Sequence, residues 1–164
     1  MSDPYASHLP ILAALCDILQ PKRILEFGGG VYSTPVLLSV KGLQRLVSVE
    51  TDERWRDYLK SSVKPEMFVG EQLADWNLAE WDLIMIDDGQ NSAERIATIE
   101  RVAEAKPPCP VVIHDFEVYQ KTAMRLFENG IMIDLLNPAT GVVWNGDALK
   151  QEQIERLKNA LQIN

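Results

Sequence analysis

The feature that most constrains this chain is an alternation. Short β-rich runs alternate with helix-patterned stretches five times, and two apolar runs then follow with little more than NPAT (137–140) between them. The strand candidates are RILEF (23–27), RLVSVE (45–50), EMFVG (66–70), WDLIMID (81–87) and PVVIHD (110–115). WDLIMID is apolar almost throughout, as expected of a parallel strand covered on both faces. Leu9, Ile11, Leu12, Leu15, Ile18 and Leu19 recur at helical spacing and predict a helix over 7–20, stopped by Pro21. Thr34 followed by Pro35 reads as a cap and a first helical residue, for a helix to about Val40. Thr51 or Asp52 caps a helix to about Ser62, and Ser92 caps one that carries Ile96, Ile99, Val102 and Ala103 on one side. A further helix, 117–128, is closed by Asn129-Gly130. Repeated strand–helix units give a doubly wound parallel sheet between two helical layers. IMIDLL (131–136) and GVVWN (141–145) are too close for a crossover, so they predict an antiparallel hairpin. A last helix, 147–162, has Leu149, Ile154, Leu157 and Leu161 as its apolar stripe. The expectation is one domain, 1–164, built on a mostly parallel seven-stranded sheet in a three-layer α/β fold.

Composition narrows the partners. Of 164 residues 46% are hydrophobic, enough for a packed core, yet the longest apolar runs, such as LIMI (83–86), fall far short of a membrane span. No basic stretch, apolar core and cleavage site open the chain, so no signal peptide is expected. Cys16 and Cys109 lack metal-type spacing and suit reduced thiols in the cytoplasm. The net charge of −8 argues against a partner whose phosphates must be neutralised. The expected partner is a small-molecule substrate, not a nucleic acid or a membrane, with self-association into a homo-oligomer left open.

The loop EFGGGVYST (26–34) follows the first strand. In an open α/β sheet, ligands bind beyond the carboxyl ends of the strands where strand order reverses, and this loop lies there. Glu50 ends the second strand, where a carboxylate can accept both hydroxyls of a ribose. Gly28, Gly30 and Ser33 lack the third glycine of a dinucleotide fingerprint. Glu26 would repel a pyrophosphate but suit a cationic ammonium or sulfonium; it can equally cap nearby backbone N–H groups.

The stretch from ILEFGGGVYST to SVETDERW resembles class I S-adenosylmethionine (SAM)-dependent methyltransferases, especially a group with an EFGxG…ST loop and an SVExDxxW second strand. The resemblance spans about residues 5–145. It implies a Rossmann-like methyltransferase fold, with the cofactor held by Glu26, Gly28, Gly29, Gly30, Ser33, Thr34, Glu50, Thr51 and Asp87. Residues after the third strand would meet adenine, which points to Glu71, with Gln72 or Asp75 as alternatives. Trp55 matches the group's tryptophan and reads as a core residue of its helix. DPYASHLPIL resembles a segment that folds near the cofactor, making Tyr5, Ser7 and His8 candidates; an exposed start with a helix cap at Ser7 is the plainer reading.

IDDGQNS (86–92) and IHDFE (113–117) end neighbouring strands, so their carboxylates converge on one crevice. They resemble relatives with an acidic D-G-x-H turn and an H-D pair, which implies catalytic roles for Asp88, His114 and Asp115. It also implies an Mg²⁺ site at Asp87, Asp88 and Asp115. Asn91 replaces that turn's histidine, and Asp87 is an additional acid. Without a metal, Asp87–Gly89 is a turn, His114 a packed strand-end residue and the aspartates helix caps. The leading expectation is O-methylation of a small molecule or sugar-like hydroxyl. The alternatives are a non-catalytic SAM-binding module and an NAD-dependent oxidoreductase.

Overall fold

A computed structural model describes residues 4–63, 68–69, 77–89 and 91–163. A 3-10 turn at Pro4–Ala6 leads into α1 (Leu9–Leu19), β1 (Arg23–Phe27), α2 (Ser33–Leu38), β2 (Arg45–Val49), α3 (Glu53–Val63) and β3 (Phe68–Val69). A second 3-10 turn, Leu78–Glu80, precedes β4 (Leu83–Ile86) and α4 (Ser92–Glu104). Then come β5 (Val111–His114), α5 (Phe116–Leu126), β6 (Asn129–Ile133), β7 (Thr140–Trp144) and α6 (Gln151–Leu161). The seven strands form one sheet in the order β3-β2-β1-β4-β5-β7-β6. The first five are parallel, and β7 is inserted antiparallel between β5 and β6. The order reverses at β1, flanked by β2 and β4, which sets the crevice beyond their carboxyl ends.

Strand residues alternate between two cores. Leu25, Phe27, Ile84, Ile86, Val111 and Ile113 pack toward Ile99 and Val102 of α4 and Phe116 and Ala123 of α5. Ile24, Leu83, Met85, Val112 and Val142 pack toward Ile11, Leu12 and Leu15 of α1, Leu37 of α2 and Leu157 of α6. Period-two alternation puts Glu26 and His114 on the α1/α2 face, and this decides what each of them meets.

Several boundaries differ from expectation for identifiable reasons. Thr34 is not a cap: α2 begins at Ser33, and the Thr34 hydroxyl is drawn inward to Glu26. Asp52 does cap α3, accepting the Arg54 and Trp55 N–H groups. At α4 the cap is Asn91, whose Oδ1 accepts from Ala93 and Glu94 N–H, while Ser92 is the first helical residue. Asn129-Gly130 does not close α5 as a turn; it opens β6, paired with Trp144 and Val143. Of the expected EMFVG strand, Phe68 and Val69 pair with β2 and the rest lies outside the described residues. Among the described residues no helix is long and apolar enough to cross a membrane.

Candidate functional site

The site starts from the glycine bend. Gly28 has φ +83°, and its N–H bonds to Val49 O at 2.9 Å, prolonging the β1–β2 ladder by one residue. Any Cβ at Gly28 would overlap the Asp87 carbonyl, so the β1 and β4 loops are packed backbone to backbone. Beneath the bend lies Glu26, fully buried. Its carboxylate accepts hydrogen bonds from Ser33 Oγ at 2.5 Å, Thr34 Oγ1 at 2.7 Å and the Ser48 hydroxyl. Thr34 Oγ1 in turn accepts from Gly30 N at 3.0 Å. Glu26 therefore ties β1, β2 and the start of α2 together through hydroxyl groups rather than capping backbone N–H. Burial pushes its pKa up to about 7 despite these three donors.

Above the bend is a cleft of about 820 Å³. Gly28–Ser33 form one wall, and Glu50, Thr51, Asp52 and Trp55 a second. Glu50 accepts from Asp52 N at 2.8 Å, and its pKa is raised, chiefly by burial. Trp55 is not a core residue. It is 38% exposed, stacks on Tyr58 and donates its indole N–H to Gly29 O at 2.9 Å. The tryptophan thus braces the glycine bend from the rim.

The third wall is built from the β4 and β5 ends, Asp87–Gly89 and His114–Asp115. Arg95 of α4 organises it. Its guanidinium contacts Asp87 Oδ1 at 3.0 Å and Asp115 Oδ2 at 2.8 Å, and its Nε donates to Asp88 O at 2.6 Å. Asp88 turns toward α4, accepting from Thr98 Oγ1 at 2.5 Å, while its Oδ1 is buried without a partner among the described residues. Its pKa is raised, burial being the main cause. His114 Nδ1 lies 3.0 Å from Asp87 Oδ1, and its Nε2 lies 2.9 Å from Ser7 Oγ. Burial alone would depress the His114 pKa. The Asp87 hydrogen bond and charge, with Asp115, outweigh it and hold the pKa above the ordinary histidine value. Five carboxylates line the cleft (Glu50, Asp52, Asp87, Asp88, Asp115) against one guanidinium, so the cleft favours a cationic ligand over an anionic one.

No protein-family model and no curated protein sequence matches the chain. Solved structures do. The methyltransferase domain of bacterial CtHen1 superposes with a TM-score of 0.65 at 13% identity, over 88% of this chain and 100% of that one. An O-methyltransferase from Bacillus cereus in complex with SAH gives 0.57 at 19%, over 87% and 82%. A spermidine synthase in complex with the transition-state analogue AdoDATO gives 0.59 at 17%, over 100% and 71%. The fold is the class I methyltransferase fold. A spermidine synthase shares it, so the fold alone does not fix the reaction.

On this class I methyltransferase scaffold, Gly28, Gly29, Gly30, Ser33, Glu50, Thr51 and Asp87 line the cleft, as do Asp88, His114 and Asp115. Glu26 and Thr34 lie beneath the glycine bend and hold its shape. Glu71, with Gln72 and Asp75, lies outside the described residues. Asp87, Asp88 and Asp115 do not converge on a common point: Arg95 bridges the first and third, and Asp88 faces Thr98. Among the described residues, the side chains that do converge are His8, Asp87 and His114. Ser7 is no exposed cap. It and His8 are buried against the β5 end, while Tyr5 lies exposed at the cleft rim. The sequence reading missed Arg95. Its one signal was position, a charged residue one turn before Ile99 on the apolar side of α4.

Proposed function

We propose that this chain is a SAM-dependent methyltransferase that methylates a hydroxyl of a small molecule. The observation carrying this reading is the placement of the Gly28–Gly30 bend and the Glu50 carboxylate on one cleft at the strand-order switch point. The donor set fits the cofactor. Glu50 would accept from the ribose hydroxyls, the glycine bend would let the methionine part approach the backbone, and the surplus of carboxylates would favour its positive charges. The bound cofactor supplies a methyl group already activated by the sulfonium.

The protein's own part is then close approach and alignment, with water kept from the reacting atoms. The rigid floor formed by Gly28 against Asp87 serves alignment. Where the acceptor must lose a proton, the half-buried Asp115 carboxylate at the cleft wall would take it, since both ring nitrogens of His114 are engaged by Asp87 and Ser7. The same acidity disfavours a pyrophosphate cofactor and a nucleic-acid acceptor.

Calorimetry with S-adenosylhomocysteine tests the reading. Glu50→Ala should weaken binding by about 2 kcal/mol, the value of hydrogen bonds to a charged group, or roughly thirtyfold. Unchanged affinity would remove Glu50 from the cofactor site. Methyl transfer to a hydroxylated acceptor by the isolated chain separates an enzyme from a non-catalytic binding module.

A further inference from the structure

The chain contains two histidines, and the fold brings them face to edge. His8, at the start of α1, and His114, at the end of β5, have ring centroids 4.6 Å apart with an interplanar angle of 67°. Asp87 completes the group. One ligand atom from each of the three lies within 4.8 Å of the others, and all three residues line the cleft.

A second observation concerns His8 alone. It is 1% exposed, and neither ring nitrogen has a hydrogen-bond partner among the described residues. Leaving a buried polar atom in that state is costly, so native structures seldom keep one without a reason. A neutral imidazole keeps one ring nitrogen with a free lone pair, and in His8 no donor among the described residues takes it, which leaves it available to a metal.

We propose that His8, Asp87 and His114 form a binding site for a divalent transition metal of the Zn²⁺ type, open toward the cleft. Two imidazoles and one carboxylate suit Zn²⁺ and its first-row neighbours, whereas Mg²⁺ calls for an all-oxygen set. Asp87 is the anionic ligand of the set, and Asp115 offsets the charge of the Arg95 guanidinium that both carboxylates contact. With Nδ1 of His114 on the ion, its ring proton sits on Nε2 and is donated to Ser7 Oγ, 2.9 Å away. An outer acceptor of this kind fixes the tautomer of a ligand histidine. Three protein ligands leave a coordination position for a molecule in the cleft. Metal binding does not depend on the methyltransferase reading.

The test uses the whole chain, stripped with EDTA and freed of chelator. Titration with Zn²⁺ by calorimetry, and with Co²⁺ by visible absorption, should give one ion per chain and the intense bands of a low-coordinate cobalt site. His8→Ala and Asp87→Asn should each weaken binding more than about 100-fold, and Ser7→Ala about tenfold, the lower end of what outer-shell partners contribute. Because the chain has two histidines, the wild type carries a readout that needs no variant to fold. Ring-proton NMR resonances of both should move together on adding one equivalent of Zn²⁺. Movement of one ring or neither, or a folded His8→Ala variant that binds Zn²⁺ like the wild type, overturns the site. S-adenosylhomocysteine affinity measured on the same samples reports separately on the cofactor reading.

Discussion

Glu26 shows what a single buried residue does here. Its pKa is raised from 4.5 to about 7, so between those values the folded protein holds a proton that the unfolded chain has released. Stability contributed by this group is therefore complete below about pH 4.5 and is lost as pH rises to about 7. The difference is on the order of 3 kcal/mol. Glu26→Gln keeps the shape, and the Ser33, Thr34 and Ser48 hydroxyls can reorient to accept as well as donate. The variant should lose less stability than the wild type between pH 5 and pH 8. Urea unfolding at both pH values checks this, and equal losses in the two proteins would show that Glu26 is not titrating in the fold. The loop composition marked Glu26 as special, but whether it faced ligand or protein depended on which face of β1 it occupied. Arg95 was harder to see. A lone arginine on a helix reads as solvent-facing, and the carboxylates that justify its burial come from two other strands.

At the scale of elements, the sequence carried most of the architecture. The parallel run and the closing antiparallel hairpin follow from segment spacing and connection length, and the structure has both. The departures occur where tertiary contacts outweigh local preference. Asn129-Gly130 resembles a helix stop in isolation, yet the β7 edge offers it hydrogen bonds. The Ser92 hydroxyl is a plausible cap, but Asn91 one residue earlier has the extended backbone a cap needs. The β1–α2 connection yields a prediction of its own. Gly28→Ala would demand a positive φ and overlap the Asp87 carbonyl. It should cost more than about 2 kcal/mol and reduce S-adenosylhomocysteine binding in parallel. A urea midpoint close to that of the wild type would mean that the two loops do not touch.

For the whole molecule, the distribution of charge matters more than the total. The chain carries −8 overall, and the cleft repeats that bias locally. A ligand bound to the folded form at about 100 times its Kd adds about 2.7 kcal/mol of stability. For a domain of this size that corresponds to a rise in Tm of roughly 5–10 °C. S-adenosylhomocysteine should produce such a rise and NAD, with its pyrophosphate, should not. The reverse pattern in a thermal-shift experiment would reassign the cofactor.

The backbone contact between Gly28 and Asp87 also bears on how such a protein could change its preferences. With main chain wedged against main chain, the base of the cleft has no side chain to trim and no slack to exploit. Room for a bulkier or differently shaped acceptor has to come from the mouth, where Tyr5, Tyr32 and Pro138 stand. Descendants of this sequence would alter those three positions to change what they accept, while the base kept its form.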